Sequence, residues 1–443
     1  MPKSLFSSLG GVHVPHRKNT ASMAAVRMTP PQSVVIPTVM HIGAPAKPCV
    51  KAGDKVEVGQ LIAESGGFIS APIHSSVSGT VKKVEDIVLS NGRKAPAVFI
   101  DSDGEMRPYE GLKKPAVSTL EELANAVRES GIVGLGGAGF PTSVKLAIKD
   151  VSQVDYIVIN GAECEPYITS DTRTMLDNTD YVVRGARRLF ELLKPKALYI
   201  GIEKNKPEAI SELKKRFKDD ENIIVKALPP IYPQGGEKVL IYNTTGRIVQ
   251  EGKLPLDAGV VIMNVTTLAK VEHYIETGMP LVEKLVTVDG SAVKNPMNVY
   301  VPIGTRMADV FEFCGGFKKE PKKLLYGGPM MGTAVPDLET PIIKNTNAIL
   351  AFDEKDARLG KETPCIRCGN CVNHCPMGLN PPAIAKAYKN KDGESLFKQR
   401  VQLCMECGAC SFVCPANQPI VQRHKLAKTV LREWQNAKKE GKA

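Results

Sequence analysis

Aromatic residues make up only 5% of the 443 residues, with a single tryptophan, and no helix-turn-helix, RNA-recognition or finger pattern occurs. Nucleic acid is therefore not expected as a partner, despite a formal charge of +11. No run of about 18 apolar residues is present, so no spanning helix is expected. Met1 to Arg17 lacks the charged segment and apolar stretch of a secretory leader, which points to a cytoplasmic chain with reduced thiols. The basic surplus instead suggests an acidic partner, an anionic cofactor or a membrane surface.

Cysteine is concentrated where it carries chemistry. Eight of the eleven cysteines form two copies of C-x2-C-x2-C-x3-C-P: Cys365, Cys368, Cys371, Cys375 with Pro376, and Cys404, Cys407, Cys410, Cys414 with Pro415. Three thiolates at this spacing wrap one cluster, and the cysteine before the proline ligates its neighbour. This assigns Cys365, Cys368, Cys371 and Cys414 to one [4Fe-4S] cluster, and Cys404, Cys407, Cys410 and Cys375 to a second. Structural zinc takes closed sets of paired cysteines, and disulfide frameworks belong to short secreted domains. The doubled four-cysteine spacing favours clusters over both.

Residues 1–36 read as an extended arm with Gly10, Gly11, Pro30 and Pro31; His13 and His16 are expected to make arm contacts rather than bind metal. Residues 37–110 show short β-rich pieces: Ile36 to Ile42, Lys55 to Ile62, Phe68 to Ile73, Gly79 to Val84 and Ala97 to Ile100. The phrases around Val50-Lys-Ala-Gly-Asp and Ile69-Ser-Ala-Pro-Ile-His resemble biotinyl and lipoyl carrier domains, which are flattened β-barrels. The exposed hairpin tip that holds a carrier lysine has Ile73, His74 and Ser75 here, so the reading is a packing or docking module.

Residues 115–280 change pattern. Ser118 and Glu121 form a capping-box signal for a helix that Gly131 ends. Gly134-Leu-Gly-Gly-Ala-Gly-Phe-Pro-Thr142 follows, then a short helix with Lys145; the element before the loop is a helix, so this is a weak Rossmann signal. Its glycines still let backbone N–H groups approach a phosphate or a flat ring, with Lys145 as counter-charge. Strands at 154–159, 197–202, 223–227 and 260–265 alternate with helices at 171–193, 206–217 and 267–277, arguing for a parallel sheet. Ligands of such sheets sit at strand carboxyl ends. The first ends in Asn160-Gly-Ala-Glu-Cys-Glu-Pro166 and the last in Asn264-Val-Thr-Thr267. Cys164 is read as structural, and Cys49 and Cys314 as buried bystanders.

These phrases, with Gly235-Gly-Glu237, resemble the FMN- and NADH-binding subunit of respiratory complex I. Together with the carrier-like module, the twin cysteine motifs and Phe6-Ser-Ser-Leu-Gly-Gly-Val-His13, the chain is similar to the RnfC family of the Rnf complexes. The resemblance implies a multidomain α/β chain: a carrier-like barrel, a flavin/NADH-binding domain, a β-grasp module at 283–345 and a two-cluster ferredoxin-type domain at 355–443. It implies non-covalent FMN on Gly134, Gly136, Lys145, Asn160, Glu163, Asn264 and Thr267, within the glycine loop that also holds Gly137 and Gly139. It places Phe140 against a nicotinamide or adenine ring, with Glu165, Gly236 and Glu237 beside NAD(H); here Gly-Gly-Glu-Lys replaces the family's Gly-Glu-Glu. No general acid or base is required of an electron carrier.

The implied role is peripheral electron exchange on the cytoplasmic face of the cell membrane. Electrons would pass between NAD(H) and other subunits, including an iron–sulfur subunit that accepts electrons from ferredoxin, coupled to Na+ or H+ transport. A microcompartment cobalamin reductase and a non-catalytic electron wire share the same signature. After the clusters, Leu426, Val430, Leu431 and Trp434 are spaced for one face of a helix rich in Lys and Arg, read as a basic amphipathic helix able to dock.

Overall fold

The computed structural model describes residues 10–90 and 92–440, so the first part of the N-terminal phrase and Lys442 lie outside the described residues. The arm is not free. Val12 pairs with Tyr232, β1 (Val26–Arg27) adds a parallel edge to a distant sheet, and β2 (Ser33–Pro37) enters the barrel. Residues 10–27 thus form a strap across the molecule.

The barrel consists of two sheets. One has the order β2, β8 (Lys94–Ser102), β7 (Gly79–Val88) and β4 (Lys55–Val56); the other has β3 (Lys47–Pro48), β5 (Leu61–Glu64) and β6 (Ile73–His74). The expected strand to Ile42 stops at Pro37 and the one from Phe68 shrinks to Ile73–His74, because proline and glycine interrupt the ladder. The carrier-type tip is not exposed: Ile73, His74 and Ser75 are all buried. Lys344 donates from its ammonium to the carbonyls of Pro72 (2.6 Å) and Gly131 (2.7 Å), fastening the tip to the next domain. Barrel residues Val34, Ile62 and Ile100 join Leu123, Ile157 and Leu268 in one continuous apolar core.

In the central domain, α1 (Leu120–Glu129) starts one residue later than its sequence signal. Thr119 is the N-cap and Glu122, not Glu121, returns to the Ser118 and Thr119 N–H groups. After α2 (Thr142–Leu146), four parallel strands stand in the order β11 (Ile223–Leu228), β10 (Ala197–Glu203), β9 (Tyr156–Asn160), β12 (Val260–Asn264). The helices are α3 (Ser170–Asp177), α4 (Thr179–Leu193), α5 (Pro207–Arg216), α6 (Glu237–Thr245) and α7 (Val265–Thr277). The single helix expected over 171–193 breaks at Asn178, whose side chain donates to the Tyr300 hydroxyl at 2.6 Å. The chain leaves β9 toward β10 on one side and returns in β12 on the other, so the topological switch lies between β9 and β12.

A third sheet has the order β1, β14 (Met297–Pro302), β13 (Glu283–Asp289), β17 (Ala348–Phe352), β15 (Lys323–Tyr326), β16 (Thr333–Val335), with α8 (Met307–Phe313). It takes in β17, beyond the expected end at 345. After α9 (Glu354–Ala357), the cysteine-rich domain is helical: α10 (Asn370–Asn373), α11 (Pro381–Lys389), α12 (Gly393–Lys398), α13 (Ala409–Phe412) and α14 (Ile420–Lys439). On α14 the buried face is Ile420, His424, Ala427 and Leu431, against α11 and α12; Leu426 points to solvent, contrary to the expected stripe. Cys314 is buried as expected, but Cys49 is exposed.

Gly131 ends α1 at φ +68, and a Cβ there would stand 2.6 Å from the Pro72 carbonyl oxygen. Gly131→Ala should therefore combine a left-handed backbone penalty with a clash at the barrel seam, lowering stability by about 2 kcal/mol or more. Thermal unfolding against the parent checks this; an unchanged midpoint would mean the seam is not a rigid joint.

Candidate functional site

At the switch, Asn160 and Asn264 end adjacent strands in register. Asn264 is the N-cap of α7: its side-chain oxygen accepts from the Thr267 N–H at 3.1 Å, and its amide donates to Asp171 Oδ2 at 2.8 Å. The glycine loop lies over this end. Leu135 N–H donates to the Thr267 hydroxyl (2.9 Å), and Gly134 N–H to the Phe140 carbonyl (2.8 Å). A Cβ at Gly136 would fall 2.4 Å from the Asn264 amide nitrogen, whereas Gly137 faces open space. From behind, Ile42 N–H donates to the Gly139 carbonyl (3.1 Å) and the Asn345 amide to the Gly137 carbonyl (3.0 Å). With the carbonyls turned back and Gly136, Gly137 and Ala138 exposed, the front of the loop is bare backbone.

Lys145 stands at the rim, half-buried, with its ammonium 3.5 Å from the Ile262 carbonyl and 3.8 Å from Glu237 at the start of α6. So loose a pair leaves the charge available to an anion. Asn160 donates to the Gly235 carbonyl at 2.9 Å, joining the β9 end to the loop before α6. Gly136, Lys145, Asn160, Glu237 and Asn264 thus meet around the crevice at the ends of β9 and β12, with Gly134, Gly137, Gly139 and Phe140 in the loop above, Thr267 under it and Gly236 beside Glu237. A glycine bed, a loosely paired lysine and two strand-end asparagines suit a flat ring with a phosphate tail, which is the shape of FMN.

Two predicted site residues are committed elsewhere. The Glu163 carboxylate turns inward to the first turn of α3, accepting from Asp171 N–H (2.7 Å) and from the hydroxyl of Thr172 (2.7 Å). Burial pushes its pKa up while Lys18 pulls it down. The Glu165 carboxylate accepts from the Met330 and Met331 N–H groups at 3.1 and 2.7 Å, and burial raises it to about 7. Both lock the loop Asn160–Pro166 in place. Cys164 lies beneath it, its thiol raised to about 12 by burial, in keeping with a structural role.

The eight motif cysteines surround two cavities. Cys365, Cys368, Cys371 and Cys414 line one; Cys375, Cys404, Cys407 and Cys410 line the other. Each set takes three thiols from one motif and the last from its twin. Each set lines its own cavity, as four thiolates holding one cluster would. Burial raises Cys407 and Cys410 to about 11 and about 12. A cluster bound there would take these cysteines as thiolates and release their protons.

The two sets differ in surroundings. Cys365 and Cys368 are exposed, beside an exposed Ile366. Cys407 and Cys410 are buried, and their loop abuts the crevice domain: the Tyr232 hydroxyl donates to the Cys407 carbonyl at 2.6 Å, and a Cβ on Gly236 would meet the Met405 methyl at 2.2 Å. Val12, Val14, Tyr232, Cys407 and Ala409 pack as one apolar cluster there. Sequence reasoning missed Lys18, which belongs to no motif, and gave no role to Tyr232, which opens the phrase ending in Glu237-Lys238, or to Met405, a spacer in the second cysteine motif.

Four family models match in succession: the RnfC barrel sandwich hybrid domain over 6–105, the Nuo51 FMN-binding domain over 127–273, the SLBB domain over 285–334 and the 4Fe-4S dicluster domain over 363–418. The chain is 44% identical over 86% of its length to the C subunit of the proton-translocating ferredoxin:NAD(+) oxidoreductase complex of Clostridium ljungdahlii, covering 84% of that protein. It is 42% identical to the C subunit of the Na(+)-translocating complex of Acetobacterium woodii, covering 85% of this chain and 86% of that one. The C subunit of the ion-translocating oxidoreductase complex of Rhodobacter capsulatus is 38% identical, across 99% of this chain and 85% of its own. Among solved structures, a chain of an NAD+-reducing [NiFe]-hydrogenase shares the fold at TM-score 0.51 and 17% identity, over 70% of this chain and 63% of that one.

Cys375→Ser should remove the cluster held with Cys404, Cys407 and Cys410 and spare its neighbour, so that iron content falls by about half and one of two paramagnetic signals is lost. Loss confined to the Cys365 site would refute the crossed grouping.

Proposed function

Because the chain belongs to the RnfC family of ion-translocating ferredoxin:NAD(+) oxidoreductase complexes, we propose that it converts the two-electron chemistry of NAD(H) into single-electron traffic for membrane partners. The partners include an iron–sulfur subunit that accepts electrons from ferredoxin, and the chain works as a peripheral subunit on the cytoplasmic face. The likeness of the relatives over most of their lengths favours this role over a corrin reductase. Among the described residues no helix is long and apolar enough to cross a membrane, in keeping with peripheral attachment.

FMN would lie in the crevice between β9 and β12, its phosphate on the Gly136–Ala138 backbone with Lys145 and its ring along Asn160 and Asn264. Bound there, it supplies the ability to take a hydride and release electrons one at a time. The protein's part is to hold the ring against an incoming nicotinamide, exclude water and set the exit. Phe140 and Glu237, at the rim, would frame the nucleotide. No side chain need exchange a proton with the substrate.

The observation that carries this reading is that one loop serves both sites. Tyr232 to Glu237 closes the crevice through Gly235 and Gly236 and touches the Cys404–Cys410 loop through Tyr232 and Met405. This supports two [4Fe-4S] clusters in series: the buried one nearest the flavin, and the exposed Cys365 one as the outlet.

Anaerobic addition of NADH to iron-loaded, FMN-supplemented protein should bleach flavin and clusters together. Clusters that respond only to a chemical reductant would reduce the chain to a wire. Lys145→Ala should weaken FMN binding about ten-fold, the worth of one charge-assisted contact, with both clusters retained; unchanged FMN affinity would remove Lys145 from the site.

A further inference from the structure

Three backbone carbonyls, those of Glu163, Glu165 and Ile168, aim at one interior point. The ammonium of Lys18 occupies it, at 2.7, 2.8 and 2.5 Å. Carbonyl dipoles converging head-on repel one another, and a buried carbonyl without a donor is costly, so the Lys18 ammonium both supplies the donors and offsets the repulsion. Lys18 lies on the N-terminal strap, far from the loop in sequence. Lys206 reaches the Glu163 carbonyl at 3.2 Å from the other side, but is already paired with Glu203 at 2.7 Å.

The strap grips the same loop at further points. Tyr167 holds φ +71, a left-handed conformation that bulky residues avoid. Its N–H donates to the His16 carbonyl at 3.0 Å, and the Arg17 guanidinium lies 6.0 Å from its ring centre. The Thr20 and Thr169 hydroxyls meet at 2.5 Å. Upstream, Val12 exchanges backbone hydrogen bonds with Tyr232 at 2.8 and 2.9 Å. A Cβ on Gly235 would stand 2.3 Å from the Ala162 carbonyl oxygen, so any outward movement of the loop displaces the crevice wall.

We propose that Lys18 is a positioning residue for the nucleotide site: its ammonium gathers the loop from Asn160 to Ile168 and thereby fixes Asn160 and the Gly235–Glu237 wall against FMN and NAD(H). The proposal rests on the crevice being the FMN site. It adds that the strap, which carries no part of the crevice, sets the crevice's affinity.

The test uses the full chain with clusters reconstituted anaerobically, comparing wild type, Lys18→Met and Lys18→Arg. Wild type must bind FMN and be reduced by NADH; failure there would fault the functional reading rather than this one. Given that, Lys18→Met should keep its iron content and cluster spectrum, bind FMN at least about ten-fold more weakly, and show an altered flavin circular-dichroism band in the protein that remains loaded. Lys18→Arg keeps the charge, but its planar fork cannot serve three carbonyls converging on one point, so it should fall between the two. A general loss of fold would instead remove iron and flavin together; Lys18→Arg then decides alone. Wild-type FMN affinity and flavin band in either cluster-loaded variant overturns the proposal.

Discussion

A side chain at position 136 and the amide of Asn264 cannot occupy the same space, and that exclusion organises the crevice. With glycine at 136 the loop settles onto the end of β12. Asn264 accepts from Thr267 and donates to Asp171, Thr266 donates to Asp171, and the Thr267 hydroxyl accepts from Leu135. One asparagine thus joins a strand end, two helix starts and the loop above them. Gly136, Gly137 and Ala138 stay exposed above that joint.

The seams between modules use the same device in the opposite sense. Where modules and strap meet, backbone carbonyls are left over, and lysine ammoniums collect them: the buried Lys344 those of Pro72 and Gly131, the half-buried Lys18 three from the β9–α3 turn. Enclosing an ammonium is costly unless its donors are matched, so each lysine ties its seam to one geometry. With the apolar core running unbroken from barrel to parallel sheet, the modules behave as one body around the crevice. This explains why a hairpin tip of carrier type can be buried: it acts as a wedge rather than an arm.

The order of modules, the strand–helix alternation and the grouping of cysteines could be read in advance because each depends on local spacing. Glu163 and Glu165 could not, since a motif says that a carboxylate is present and not which way it turns; burial turned both toward orphan N–H groups. Lys18 had no periodic neighbours to mark it, and its partners lie some 145 to 150 positions away. On α14, Leu426 and Leu431 looked equivalent on an apolar stripe, but only packing against α11 and α12 chose the face through His424 and Ala427. The capping box slipped by one residue because Ser118 and Thr119 both carry suitable hydroxyls, and only the backbone geometry distinguishes them.

The interleaving of the two cysteine motifs bears on how the protein matures. During synthesis from the N-terminus, the cavity lined by Cys365, Cys368 and Cys371 lacks its fourth wall until Cys414 has left the ribosome. The neighbouring cavity waits on the second motif in the same way. Neither cavity is fully lined before the second motif has been made, so each half of the cysteine-rich domain depends on the other for its shape.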